Sequence, residues 1–398
     1  MGRVIMRRGR EESLRRFHPW IFSGGIFKTE GVINEGDVVE VCSVNGERLG
    51  FGHYQIGSIT VRMLSFGEED FTPDFWKTRF EAAYKLRRSL GITEGPTTAY
   101  RLIHGEGDSL PGLIVDIYNN SAVIQAHTAG MFLSRDIIVE TLKELFGSKL
   151  TSVYDKSATT APFKAGLDLA DGYLYGSAPD NSVILENGIR FSVDWEGGQK
   201  TGFFLDQRDN RQMVRNYSKG KRVLNLFCYT GGFSLYALAG GAKSVDSVDS
   251  SQKAMDLLSY NVDQNREASL FPKDTPHNSF CTDAIEFVKN CKPDIYDLMI
   301  VDPPAFAKHR GALSNALRAY QRLNAAAIEK IAPGGIIFTY SCSQVVDKTA
   351  FAQAIFSAAA QTGRNVRILH RLTQPADHPV NIYHPEGEYL KGLVLYVD

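Results

Sequence analysis

Cysteine is scarce and never closely paired: Cys42, Cys228, Cys281, Cys291 and Cys342 are the five in 398 residues, and no two form a Cys-x-x-Cys arrangement. A zinc framework or a disulfide framework is therefore not expected, and no metal is. At least one thiol is a candidate for reactivity, and the others suit small buried positions. Long apolar runs are absent too. No stretch is long enough to cross a bilayer, no signal-peptide core follows Met1, and Met6 stands where a myristoylation signal needs Ser or Thr. A cytoplasmic protein with no membrane partner is expected. Charge of one sign is not in excess, because the formal net charge is −1, so any basic surface must be local. Residues 1–16 carry six arginines against two glutamates and read as a solvated arm. Also missing are Gly-x-Gly-x-x-Gly and any Gly-Lys-Ser/Thr loop, the two motifs that cradle pyrophosphate at a helix start.

What is present is organised around residues 222–239. Val223 to Phe227 is an apolar run of strand length, Thr230-Gly231-Gly232 supplies turn chemistry, and Phe233 to Ala239 returns to helical spacing. Strand, glycine turn and helix open a nucleotide-binding α/β unit. Glycine admits a ligand close to the backbone because it lacks Cβ. The next strand ends in Asp249, near the offset at which an acid takes ribose hydroxyls. A nucleoside without phosphates, of which S-adenosylmethionine (SAM) is one, needs only the close approach and this acid. A packing turn in any other α/β protein has the same look.

The length allows two or three domains. Residues 1–70 read as short strands, with 38–44 and 48–54 flanking Asn45-Gly46 and a further strand at 59–64. A small β-barrel or sandwich fits. His18 and Trp20 in the loop at 16–22 suit either a packed corner or base stacking. Residues 71–195 read as a small α+β domain: a helix over 75–90 with Phe75, Phe80, Ala83, Tyr84 and Leu86 inward and its Lys and Arg outward, strands at 113–118 and 122–127, a helix over 132–146, a strand at 152–155, and a hairpin about Asn187-Gly188. Beyond about residue 208 strands and helices alternate. Strands are expected at 223–227, 244–249, 279–281, 298–301 and 336–340, with helices over 252–265 and 313–331. The fold class is α/β, with a Rossmann-like doubly wound domain following the two smaller ones.

In such a sheet, ligands lie beyond the carboxyl ends of the strands. The polar residues there are Asn225, Asp249, Asp283, Asp302 and Cys342. Asp302-Pro303-Pro304-Ala305-Phe306 holds an acid at a stiff, extended edge beside an aromatic, which favours gripping a planar base over a capped strand-end turn, because Phe306 adds a stacking surface beside the acid. Ser341-Cys342-Ser343 offers a strand-end thiol, a nucleophile or a small filler. Asp206, Gln207 and Arg208 suit the charged end of an amino-acid-like ligand, or a helix start.

Taken in order, Gly198-Gln-Lys-Thr-Gly-Phe-Phe-Leu-Asp-Gln-Arg208, Asn225 to Phe233, Asp302-Pro-Pro-Ala-Phe306, Ser341-Cys-Ser343, Asp377-His-Pro-Val380 and Pro385-Glu-Gly-Glu-Tyr-Leu-Lys-Gly392 resemble the bacterial 23S ribosomal RNA cytosine-5 methyltransferases of the RlmI-like type, over nearly the whole chain. The resemblance implies an N-terminal PUA RNA-binding domain (1–70), a central α+β domain (71–195) and a C-terminal Rossmann-like methyltransferase (196–398). It implies SAM as methyl donor, 23S rRNA or a large-subunit assembly intermediate as partner, and hints at a homodimer. By matching position it sets SAM against Asn225, Tyr229, Thr230, Gly231, Asp249, Ser250, Asp283 and Asp302, with Gln207 and Arg208 nearby. It makes Cys342 the nucleophile and Asp302 its catalytic partner. Many RNA cytosine-5 methyltransferases carry a second cysteine just after the proline of the aspartate loop. Here Ala305 follows the prolines, as in the RlmI-like pattern. Two other readings stand beside this one: methylation of a guanine nitrogen on the same scaffold, with Cys342 as packing, and an RNA-binding protein that keeps the fold without the reaction. Lys308, His309 and Arg310, just after the aspartate loop, are candidates for meeting RNA phosphates.

Overall fold

The computed structural model describes residues 1–398 except 68, 69, 163–165 and 308. The chain forms two units and passes between them repeatedly. Met1–Ile184, Val193–Leu205 and Ala376–Gly387 make the first; Leu185–Ser192, Asp206–Pro375 and Glu388–Asp398 make the second. Among the described residues, no helix is long and apolar enough to cross a membrane.

In the first unit, the described residues form a six-stranded sheet in the order Trp20–Phe22, Ile59–Phe66, Arg48–Tyr54, Val38–Cys42, Arg3–Met6, Ile26–Glu30. The expected hairpin turns at Gly46, whose φ of 84° requires glycine. The expected solvated arm is corrected over Arg3–Met6, which pairs with both Ile26–Glu30 and Val38–Cys42 and buries Val4, Ile5 and Met6. Three consecutive apolar side chains outweigh the arginines around them. Arg3 and Arg15 meet Glu40 and Glu47 at the surface.

A second sheet of this unit runs Gly172–Tyr175, Ser152–Asp155, Ser121–Ala126, Leu113–Tyr118, Ala99–His104. It shares one apolar core with helices Phe75–Ser89 and Arg135–Phe146. The helix Phe75–Ser89 corrects the expected faces: Trp76, Phe80, Ala83 and Arg87 are its buried stripe, and Leu86 is exposed. Spacings of four, three and four put Arg87 on the inner face regardless of its charge. Its guanidinium is neutralised by Asp108 and donates to the carbonyls of Arg101 and Asp377. Asp377 also accepts the Arg101 amide at 3.0 Å and adjoins His378. Gly107 is obligatory here, because a Cβ would lie 2.0 Å from the Pro379 carbonyl oxygen. The Asp-His-Pro-Val segment is thus built into this unit. Trp20 is a packed corner: its indole donates to Glu106 at 2.8 Å and its ring meets His384 at 4.3 Å.

The second unit is a doubly wound sheet. Its strands are β1 (Arg222–Leu226), β2 (Ser244–Asp249), β3 (His277–Cys281), β4 (Tyr296–Val301), β5 (Ile331–Ser341), β6 (Val366–Leu372) and β7 (Lys391–Val397). Their order is β3-β2-β1-β4-β5-β7-β6, with β7 antiparallel to both neighbours and the other pairings parallel. The chain winds outward from β1 through β2 to β3, then restarts on the other side of β1 at β4. That reversal between β1 and β4 is the switch point where such sheets open a crevice at their carboxyl ends. β4, β5 and the helices Leu313–Lys330 and Lys348–Thr362 share the main core. Capping side chains start the helices: Ser251, Asp283 and Asp347 each accept a main-chain amide three residues on.

The Arg87–Asp108 pair is almost wholly removed from solvent. Replacing one partner strands the other's charge, so Asp108→Ala should cost about 3–5 kcal/mol. Denaturant unfolding checks this; an unchanged midpoint would show the pair to be dispensable.

Candidate active site

Leaving β1, the backbone takes left-handed conformations at Phe227 (φ 59°), Tyr229 (φ 47°) and Gly231 (φ 86°), and the helix Gly232–Ala239 begins. Two non-glycine residues in that region carry strain that something must hold. Asp249, at the tip of β2, does so: one carboxylate oxygen accepts the Tyr229 amide and the other the Ser251 amide, each at 2.9 Å. Position 231 tolerates no side chain. A Cβ there would lie 2.0 Å from Leu258 Cδ1. Thr230 is buried, and its carbonyl accepts from Asn261 at 3.1 Å. Ser250 and Asp283 are exposed at the carboxyl ends of β2 and β3, and Asp283 also caps the helix Ala284–Asn290.

Asn225 is fully buried in β1. Its amide donates to Ser234 (2.8 Å), Ser234 meets Ser247 (2.7 Å), and Ser247 meets His277 (2.9 Å). This polar chain crosses β1, β2 and β3. Burial, with Arg266 adding to it, pushes the His277 imidazole down to about 4, so the ring is neutral at physiological pH. Asn225 Oδ1 is buried with no partner among the described residues.

Gln207 ends the short turn Leu205–Gln207 ahead of the helix Arg208–Tyr217. Its amide nitrogen donates to Asp302 Oδ2 at 2.9 Å, and its amide oxygen accepts from Asn210 at 2.6 Å. The Asp302 carboxyl is therefore oriented by Gln207, which Asn210 orients in turn. Asp206 accepts from the Tyr389 hydroxyl at 2.7 Å. Arg208 faces Glu186 at 3.7 Å, and Arg211 grips the same carboxylate through two nitrogens at 2.7 Å. Burial opposes the Arg211 charge, but Glu186 outweighs it and raises the guanidinium above its usual value.

Asp302 and Cys342 lie just past neighbouring parallel strands, since Val301 of β4 pairs with Thr339 of β5. Both are half-buried. Ser341 and Ser343, on either side of the cysteine, are buried and hydrogen-bonded to one group, the Tyr320 hydroxyl, at 2.9 and 3.1 Å. Ser343 also accepts the Ala307 amide at 3.4 Å, which joins the cysteine loop to the aspartate loop. Phe306 packs on Tyr320, ring centres 4.8 Å apart. Tyr320 and Asn210 are contributors that the sequence reading did not name, and Ser341, Ser343 and Lys391 appeared there only within motifs, with no role of their own. Only Ser341 and Ser343, by flanking a strand-end cysteine, carried a signal. His309 and Arg310 are exposed, and Lys308 lies outside the described residues.

The glycine turn yields a direct test. Gly231→Ala forces Leu258 or the turn to move, so SAM affinity measured by calorimetry should fall at least about tenfold, roughly 1.4 kcal/mol. Unchanged affinity would separate the turn from ligand binding.

Comparison with known proteins gives concordant results. Residues 159–393 match the model of the S-adenosylmethionine-dependent methyltransferase family, and residues 4–66 match a PUA-like domain. Proteins named ribosomal RNA large subunit methyltransferase I are similar over their full length: that of Aeromonas hydrophila is 40% identical over 98% of both chains, and that of Photobacterium profundum 42% over 99% of both. Among solved structures, SMU.776 complexed with SAH superposes with a TM-score of 0.84 at 25% identity, covering 100% of each chain. The residues here fit SAM. The glycine turn admits a close ligand, Asn225 Oδ1 is an unengaged buried acceptor, and a carboxylate such as Asp249 has roughly four acceptor positions, of which two are taken by the backbone. By these full-length similarities, and by the sheet and glycine turn described above, the chain belongs to the ribosomal RNA large subunit methyltransferase I family of SAM-dependent methyltransferases.

Proposed function

We propose that the protein methylates C5 of a cytosine in 23S ribosomal RNA, as free RNA or within an assembling large subunit, through a covalent bond between Cys342 and C6. The observation that carries this reading is the pairing of β4 with β5, which sets an acid and a thiol past adjacent strand ends with their loops joined. Residues 1–70 serve as the PUA-like RNA-binding domain, 71–195 as the central domain and 196–398 as the methyltransferase. Asn225, Tyr229, Thr230, Gly231, Asp249, Ser250 and Asp283 hold SAM, with Asp302, Gln207 and Arg208 beside it.

Cytosine C5 is a weak nucleophile. The Cys342 thiolate adds to C6, forming a sulfur–carbon bond and moving the C5–C6 π pair so that the ring becomes an enamine with density at C5. Asp302, carrying a proton and oriented by Gln207, donates at N3 and offsets the charge that addition builds there. Bound SAM supplies the electrophilic methyl group that C5 takes up. Loss of the C5 proton to a base then re-forms the C5–C6 double bond and expels the thiolate, while the N3 proton returns to Asp302. The braced Ser341-Cys342-Ser343 segment keeps sulfur at a fixed distance from the ring, so alignment is prepaid. The target base must leave its stack to reach the thiol.

RNA containing 5-fluorocytosine should form a complex with the wild-type protein that survives denaturation, because the C5 fluorine blocks the final elimination. Cys342→Ala should not form it and should lose turnover while binding SAM normally. Full activity of Cys342→Ala with no trapped complex would favour methylation of a guanine nitrogen instead.

Exposed His309 and Arg310 meet RNA phosphates in this reading. Arg310→Glu should flatten the dependence of log K on log salt by about one unit. An unchanged slope in filter-binding titrations would leave the loop merely solvated.

A further inference from the structure

The segment Tyr389-Leu390-Lys391-Gly392 opens β7, and the mechanism above makes no use of it. β7 runs antiparallel to β5, with Lys391 opposite Ser341 and Gly392 opposite Tyr340. Lys391 is 6% exposed. Its ammonium reaches around the end of β5 and donates to the carbonyls of Ser343 and Val346, each at 2.6 Å. The Val346 amide in turn donates to Ser343 O at 3.1 Å. One cation therefore closes the turn that follows Cys342, while Tyr320 fixes the residues on either side of the sulfur.

Such a contact is costly for packing alone. A lysine can close a turn from the surface, with its charge in water, whereas this one is desolvated and its hydrogen bonds go only to neutral carbonyls. Burial brings the Lys391 ammonium down to about 8; the charges acting the other way are Cys342, Asp347 and Glu388. Glu388 is itself engaged by Lys348, and Asp347 caps the helix Lys348–Thr362. Cys342 is thus the largest of the negative partners and the one on the turn being clamped.

We propose that Lys391 is a positioning residue for the Cys342 nucleophile, clamping the turn that presents the sulfur and supplying the positive charge that keeps it as thiolate. This rests on the reading of Cys342 as the nucleophile. Lys391 is not the general base: its role requires the protonated amine. The ammonium is present below about pH 8 and lost above it, so its support for the thiolate acts at and below neutral pH, whereas at alkaline pH a thiol ionises without it.

The test uses the full-length protein as wild type, Lys391→Met and Lys391→Arg. Methylation of rRNA gives kcat and KM, and iodoacetamide labelling of Cys342, followed by mass spectrometry across neutral and alkaline pH, reports the thiolate directly. A nearby opposite charge shifts a titrating group by about one to three pH units. Lys391→Met should therefore slow labelling at neutral pH on the order of tenfold to a thousandfold and lower kcat similarly, with KM for RNA and SAM affinity within about twofold. Lys391→Arg should restore labelling at neutral pH to near the wild-type rate, because arginine stays charged. Superimposable labelling curves for wild type and Lys391→Met would overturn the proposal. Should Lys391→Met fail to bind SAM and so prove unfolded, Lys391→Gln takes its place: labelling at neutral pH as fast as in wild type overturns the proposal. Labelling needs no RNA, so it separates this proposal from the nucleophile reading. An active Cys342→Ala defeats the reading, whereas unaltered labelling in the lysine variants defeats only the role of Lys391.

Discussion

The parallel register between β4 and β5 is the constraint on which the candidate site depends. With Val301 fixed opposite Thr339, the residues that follow each strand have no choice of neighbour. A slip of one residue would turn Ser341 and Ser343 outward and Cys342 into the core, since side chains alternate along an extended chain. The slip is prevented from the apolar side. Met299, Val301, Ile337 and the two covering helices form a continuous core, and the Tyr320 hydroxyl, delivered by one of those helices, accepts only hydroxyl partners at the positions the serines occupy. The hydrophobic pattern sets the register, and the polar contacts at its end convert register into the aim of one sulfur atom.

The same logic holds at β1 and β2. The turn after β1 is strained at Phe227 and Tyr229, and isolated backbone would relax. Asp249 holds it by accepting two amides from two different loops. The acid expected to meet ribose is therefore also the strut of the cavity that ribose would enter. These duties do not compete, because amide donors take one set of acceptor directions and hydroxyls can take the other. Further back, the Asn225–Ser234–Ser247–His277 chain satisfies side chains inside the sheet, and Glu186 gathers Arg208 and Arg211 onto the segment Leu185–Ser192. Polar groups are buried in this unit where they fix loops that must not move.

Much of this was legible in the sequence, and what was not has physical causes. The glycine turn, the strand-helix alternation and the polar residues at strand ends follow from period and turn chemistry, and β1, β2 and β4 lie within two residues of expectation. Strand β7 was missed although Lys391-Gly-Leu-Val-Leu-Tyr-Val397 is an apolar run; a leading lysine and glycine argue against a strand until it is known that the lysine reaches past the strand end. Arg3–Met6 was hidden by the arginines around it, and Arg87 by its charge. Arg3 does lie at the surface, and it was Val4, Ile5 and Met6 that the arginines masked; Arg87 was assigned to solvent although Asp108 was available to pair with it. The contacts that brace the cysteine were beyond reach for the same reason, since Tyr320 and Lys391 come to it from elements many residues away. Local pattern reports which residues sit at an edge, and only topology reports which of them share it.

Arg211 and Lys391, two of the buried cations of the second unit, show how structural charge differs from charge available for chemistry. Arg211 is matched by a carboxylate through two parallel contacts, and that pairing raises its pKa despite burial. Its charge is saturated, and nothing further is gained by bringing another anion near. Among the described residues the Lys391 ammonium hydrogen-bonds to carbonyls alone, and burial outweighs the acids around it, lowering it to about 8. A cation left in that condition is stabilised by any anion that forms beside it, and the free energy it lacks in the resting state is returned when one does. Of the acidic groups that act on Lys391, Cys342 is the one whose ordinary ionisation lies nearest neutral pH. In the proposed role of Lys391, under-compensation of the lysine and ionisation of the cysteine are linked through the proton they share.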